Sequence, residues 1–202
     1  MKNIKISVHP LAAAGIFLLC TVIPPSRAFG IIAAVLCHEA AHVFVGRLFS
    51  MKVRRAVLLP LGISFEMDAP RSYAAEFAVA AAGPLINILI CALIKTGLFP
   101  LSAGVDELFM FSASFAALNL MPIRSLDGGT MLLSATSAVF SRDTAERLLD
   151  ISGAAALALL WLVGIYIFFY GTENFTLLIF VSFMFAAAVM KSDGSAKKQN
   201  MS

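Results

Sequence analysis

The run Ala28-Phe29-Gly30-Ile31-Ile32-Ala33-Ala34-Val35-Leu36-Cys37-His38-Glu39-Ala40-Ala41-His42-Val43-Phe44-Val45-Gly46-Arg47-Leu48-Phe49 decides how the rest of this chain is read. It is apolar and long enough to cross a bilayer, whose hydrocarbon core takes about 20 residues of helix. Yet it carries His38, Glu39 and His42 within little more than one turn. Ionisable groups are costly in hydrocarbon and mark function where they occur. Two histidines at i and i+4 share one helix face and can grip one ion. A glutamate between them can serve as general base toward a water that the ion acidifies. The pattern points to zinc-dependent hydrolysis inside a membrane. The opposing reading, a helix–helix hydrogen-bond cluster, would bury all three groups without a metal.

Composition places this run in a membrane protein. Of 202 residues, 60% are hydrophobic and 13% are charged. A soluble domain carries about 25% charged residues. The expected fold is an all-α polytopic membrane protein of about six transmembrane helices, with a short strand-like or re-entrant segment after the second. The spans fall near 11–23, 28–49, 72–98, 106–121, 151–170 and 175–190. Residues 1–190 read as one membrane-embedded domain and 191–202 as a polar cytoplasmic tail.

Between Met51 and Pro70 the stretch Val57-Leu58-Leu59-Pro60-Leu61-Gly62-Ile63-Ser64-Phe65 is too short and broken to span. It reads as a strand pair or re-entrant loop shielded from lipid. Residues 128–140 are apolar but short, and 141–150 read as a surface helix capped by Ser141 or Asp143. The N-terminal 30 residues resemble a signal peptide, but Pro24-Pro25 and Arg27 at the would-be cleavage point argue for an uncleaved span. Cys20, Cys37 and Cys91 have no paired spacing and read as small apolar packing residues.

Placing the N-terminus inside puts 13 of the 15 lysines and arginines on the cytoplasmic side and leaves Arg27 and Lys95 outside. That bias fits six spans with both termini cytoplasmic. The histidine pair then lies two to three turns from the cytoplasmic end of its helix, and water reaches it from that side.

A catalytic zinc site takes three protein ligands and leaves a position for water. His9 is the one further histidine, and it sits at the mouth of the first span as an interfacial residue. The better third ligand is Asp127, in Asn119-Leu120-Met121-Pro122-Ile123-Arg124-Ser125-Leu126-Asp127-Gly128-Gly129. It follows a polar break, and two glycines after it allow a sharp turn and close packing. The alternative is a turn or cap residue ahead of the glycines.

His38-Glu39-Ala40-Ala41-His42, Leu126-Asp127-Gly128-Gly129 and Gly83-Pro84-Leu85-Ile86-Asn87 together resemble the site-2 proteases, intramembrane zinc metalloproteases of the M50 type. Val8-His9-Pro10 and the six-span layout look most like the stage IV sporulation protein FB branch. Two details depart from the family pattern: Ser125 stands where proline is frequent, and Pro60-Leu61-Gly62 is followed by Ile63. No C-terminal regulatory domain is expected.

The resemblance implies one zinc ion held by His38, His42 and Asp127, with Glu39 as proton carrier. It also implies a side-chain donor for the oxyanion, for which Asn119 and Asn87 are the candidates. The implied substrate is a membrane-associated regulatory protein, such as a pro-sigma or anti-sigma factor, cut near the cytoplasmic face of a bacterial inner membrane. The implied partners are that protein and the lipid bilayer, not nucleic acid. The 58–65 segment would pair with the substrate edge to edge. For Gly83 and Pro84, close packing and a kink are as good a reading as a direct role in the site. Two other functions compete: a metal-ion transporter or sensor, and a catalytically silent relative that binds substrate only. Transport would need further ligands along a path, whereas Asp106, Glu107 and Glu173 all fall at outer ends. Silence is opposed by the intact Glu39.

Overall fold

The computed structural model describes residues 5–8, 12–13, 17, 21, 23–59, 62–100, 102–170 and 182. Strand β1 covers Lys5–Val8 and helix α1 Pro25–Leu48. Strands β2 (Val53–Leu59) and β3 (Gly62–Met67) follow, then helices α2 (Tyr73–Lys95), α3 (Ala103–Asn119), α4 (Asp127–Ser137) and α5 (Arg142–Tyr170).

Local chemistry sets the helix ends. Helix α1 starts three residues earlier than the hydrophobic pattern alone suggests, because Pro25 occupies its first position, where a missing N–H costs nothing. Ser72 and Ser102 cap α2 and α3 by accepting from the N–H of Ala75 and Val105. Gly97, at φ 77°, closes α2 in the left-handed region that glycine enters freely.

Helices α1, α2 and α3 pack against one another, α4 lies on α2, and α5 lies on α4. Small residues bring these helices close, as in membrane packing generally. A Cβ on Gly30 would stand 2.7 Å from the Glu107 carbonyl carbon, so α1 and α3 touch backbone to backbone there. At the same end Arg27 Nε pairs with Glu107 Oε1 at 3.2 Å.

The segment after α1 is a strand pair: β2 and β3 are antiparallel, with Ala56 opposite Phe65 and Leu58 opposite Ile63. The sheet gains a third strand that the sequence reading did not anticipate. Strand β1 pairs parallel to β2, with Lys5 opposite Arg55 and Val8 opposite Leu58. Four residues beside a lysine gave no alternation to read. The sheet's charges are paired locally: Arg54 with Asp68, Arg55 with Glu66 at 3.6 Å, and Arg55 Nε with the Ser7 hydroxyl at 2.8 Å. The Arg54 hydrogen bond holds the Asp68 carboxyl below the usual range, against a smaller opposing effect of desolvation.

Three expectations fare differently in the structure. First, among the described residues three helices, α1, α2 and α5, are long and apolar enough to cross a membrane, and they correspond to three of the expected spans. The spans near 11–23 and 175–190 fall largely outside the described residues, and α3 has 17 residues. At about 1.5 Å per residue, α3 is slightly shorter than a 30 Å core. Second, the surface helix and the fifth span are one continuous helix, α5, capped by Ser141 as expected. Nothing between Asp150 and Gly153 breaks it, and Gly153 lets it rest on the 121–126 loop: a Cβ there would meet the Pro122 carbonyl oxygen at 3.1 Å. Third, Cys37 is exposed on the outer face of α1 instead of packed. Cys91 is half-buried, and Cys20 lies outside the described residues.

Candidate metal centre

The site grows from three neighbouring pieces of backbone. Helix α1 presents His38 and His42 one turn apart, with ring centroids 4.7 Å apart and planes nearly perpendicular. Helix α2 crosses them at Gly83, where a Cβ would stand 2.5 Å from His42 Nε2 and 2.6 Å from His38 Nε2. No side chain fits there, and the run Ala80-Ala81-Ala82-Gly83-Pro84, buried throughout, keeps this face of α2 small. The sequence reading left packing and a direct role equally open for Gly83. The contact makes it a space-giving residue for both imidazoles.

The third piece is the loop before α4. Ile123 anchors it, 2% exposed, in a cluster with Leu157 and Leu160 of α5. Arg124 also ties it to α5, with Nη2 2.7 Å from Asp150 Oδ1. The two glycines after Asp127 do not make a turn; both are helical, with no positive φ. They serve close packing: a Cβ on Gly128 would strike the Leu120 carbonyl and one on Gly129 the Ile123 carbonyl. So the loop folds tightly back over the first turn of α4 and fixes Asp127 in place. Asp127 is the first residue of α4 and Leu126 its N-cap, with no side-chain capping bond.

Asp127 Oδ2 instead faces the histidines, 3.0 Å from His38 Nε2 and 3.4 Å from His42 Nε2. The three residues form a potential metal-ligating group whose donor atoms all lie within 4.8 Å of one another. Donors about 2.0–2.1 Å from one tetrahedral zinc stand about 3.3–3.4 Å apart, so these spacings fit a shared ion. Among the described residues, Asp127 Oδ2 is enclosed with no partner beyond the two imidazoles it faces, a donor set whose chemistry suits a shared cation.

The far sides of the imidazoles are also held. The Val79 carbonyl lies 2.7 Å from His42 Nδ1 and can only accept, so Nδ1 carries the proton and Nε2 turns its lone pair to the centre. This backbone partner carries no sequence signal and was not foreseen. His38 Nδ1 has the Asn87 carboxamide nitrogen at 3.4 Å. Glu39 follows His38 directly, and the Phe65 backbone amide of β3 faces its carboxyl. Strand β3 therefore runs along α1 beside the centre, and Met67 reaches Gly46 two turns further on. Asn119 stands apart from the other predicted site residues in its contacts. Its Nδ2 donates to the Phe115 carbonyl of its own helix at 3.1 Å, leaving a second N–H.

The chain matches peptidase family M50 over residues 26–103 and 101–163. It belongs to that family. It is similar to stage IV sporulation protein FB of Bacillus subtilis, 33% identical over 160 residues, covering 72% of this chain and 52% of the relative. It is also similar to a zinc metalloprotease of Methanocaldococcus jannaschii, 28% identical over 106 residues, 49% of this chain and 31% of that protein. The chain thus spans about half the length of the first relative and less of the second. Among solved structures, a site-2 protease from Methanocaldococcus jannaschii shares the fold, with a TM-score of 0.65 at 20% identity, covering 95% of this chain and 93% of that one.

Proposed function

We propose that this chain is an intramembrane zinc endopeptidase that cuts a membrane-associated protein near the cytoplasmic face. One observation carries the reading: an enclosed Asp127 oxygen within 3.4 Å of two imidazole nitrogens, with Glu39 on the same turn of helix as the histidines. His38, His42 and Asp127 would hold the ion. A zinc ion so held supplies Lewis acidity and lowers the pKa of a coordinated water from 15.7 to about 7.

The chain's own residues supply the rest. Glu39 accepts the proton of the attacking water and returns it to the departing amine. The free N–H of Asn119 is the donor proposed for the developing oxyanion. Among the described residues the sheet order is β1-β2-β3, so β3 has an outer edge, and its Phe65 amide faces Glu39. A substrate in extended form would add to the 58–65 hairpin at that edge, which delivers its backbone past the general base.

The proposed setting is a bacterial cytoplasmic membrane, with six spans and both termini inside. Its support is the placement of Arg27, Glu107 and Lys95 at one end of the bundle and of the arginine-rich sheet at the other. The likeness to a sporulation protein makes a regulatory protein of spore formation, such as a membrane-bound pro-sigma factor, the proposed substrate. A transport role is weaker. Among the described residues, His38, His42 and Asp127 form the one metal-capable group, where a pathway needs several.

Zinc removal tests the activity. Purified chain reconstituted in liposomes with a single-span substrate should stop cleaving it in a strong chelator and recover when Zn²⁺ is restored. Cleavage by verified zinc-free protein would contradict the proposal.

A further inference from the structure

Asn87 is completely buried on α2, with its carboxamide nitrogen 3.4 Å from His38 Nδ1 and its Oδ1 without a partner. A buried amide oxygen left unbonded is costly, and native proteins rarely keep one. His38 Nε2 lies 3.0 Å from Asp127 Oδ2, and its Nδ1 faces the Asn87 amide nitrogen. Once His38 Nε2 gives its lone pair to an ion, the ring's remaining proton must sit on Nδ1. Two donors, Nδ1–H and the amide NH₂, would then face each other. A half-turn of the amide resolves the conflict, bringing the orphaned Oδ1 to Nδ1–H.

We propose that Asn87 is a positioning residue for His38, which reverses its amide to accept the Nδ1 proton when the centre is loaded, rather than a donor to the oxyanion. The inference rests on the metal-centre reading above. An amide can play both parts because it has a donor and an acceptor on one pivot. His42 needs no such pivot, since its Nδ1 is bound to a carbonyl in either state.

The test is zinc affinity, measured by chelator competition on the full chain in detergent, beside the absorption spectrum of the cobalt-substituted protein. Asn87→Leu is expected to weaken zinc binding by about 10–100-fold, the usual effect of removing a partner behind a metal-bound histidine. Asn87→Asp keeps an acceptor at Nδ1 and should hold zinc as tightly as the wild type or better, with a cobalt spectrum like the wild type's. It also decides the matter if the leucine variant does not fold. Wild-type zinc affinity in Asn87→Leu together with lost cleavage would overturn the inference and return Asn87 to the oxyanion. Weakened zinc binding in Asn87→Asp would overturn it too. A wild-type chain that binds no zinc would instead sink the metal-centre reading itself.

Discussion

Glu39→Gln is expected to leave zinc binding intact and to lower cleavage by on the order of 10²–10⁴-fold, the usual contribution of a positioned general base. Glu39 is not in the ligand group formed by His38, His42 and Asp127, so its loss should not empty the site. It sits between the two histidines on α1, with the Phe65 amide facing its carboxyl. Glutamine keeps the size and an oxygen for that amide but cannot take a proton. The pair of readouts is zinc content and turnover of a reconstituted membrane substrate. A glutamine variant that still cuts at the wild-type rate would remove Glu39 from the chemistry. A variant that also loses zinc would show its role to be structural.

The second large effect is expected at a residue with no side chain. Gly83→Ala should empty the zinc site, although alanine favours an isolated helix over glycine by about 1 kcal/mol. The added methyl would stand 2.5 Å from His42 Nε2 and 2.6 Å from His38 Nε2. Something must move by most of an ångström, and both rings are held from behind, one by the Val79 carbonyl and one by Asn87. Forced overpacking of this kind costs about 1–3 kcal/mol, which outweighs the helix gain. The shift falls on ligand geometry, which tolerates only tenths of an ångström. Zinc stoichiometry and thermal stability in detergent read this out together. A Gly83→Ala chain with full zinc and a higher melting temperature would show that α2 does not press on the imidazoles.

What the sequence disclosed, it disclosed through spacing and cost. His38 and His42 lie one turn apart, and the structure places them on a common face of α1. Asp127 was legible as an acid beside two glycines after a break, although those glycines turned out to serve close packing against the Leu120 and Ile123 carbonyls. The hairpin was legible because Pro60 and Gly62 interrupt an apolar stretch too short to span. Three features were not legible. The Val79 carbonyl behind His42 is main chain, identical in every residue type. Strand β1 is four residues long and finds its partner, β2, some fifty positions away, which local pattern cannot report. The seam between 141–150 and 151–170 vanished because polarity changes there while helix propensity does not, and a helix that leaves the bilayer need not end. Asn87 and Asn119 looked alike as buried amides in apolar helices. Their contacts separate them, one at His38 and the other at its own Phe115 carbonyl.

The central claim is one ion shared by two helices, and zinc counting tests it most directly. Purified chain should carry one zinc per molecule by elemental analysis, with X-ray absorption reporting nitrogen and oxygen neighbours at about 2.0–2.1 Å. Asp127→Ala, which leaves both histidines in place on α1, should lose most of that zinc. Full occupancy in Asp127→Ala, or sulfur among the neighbours, would contradict the account.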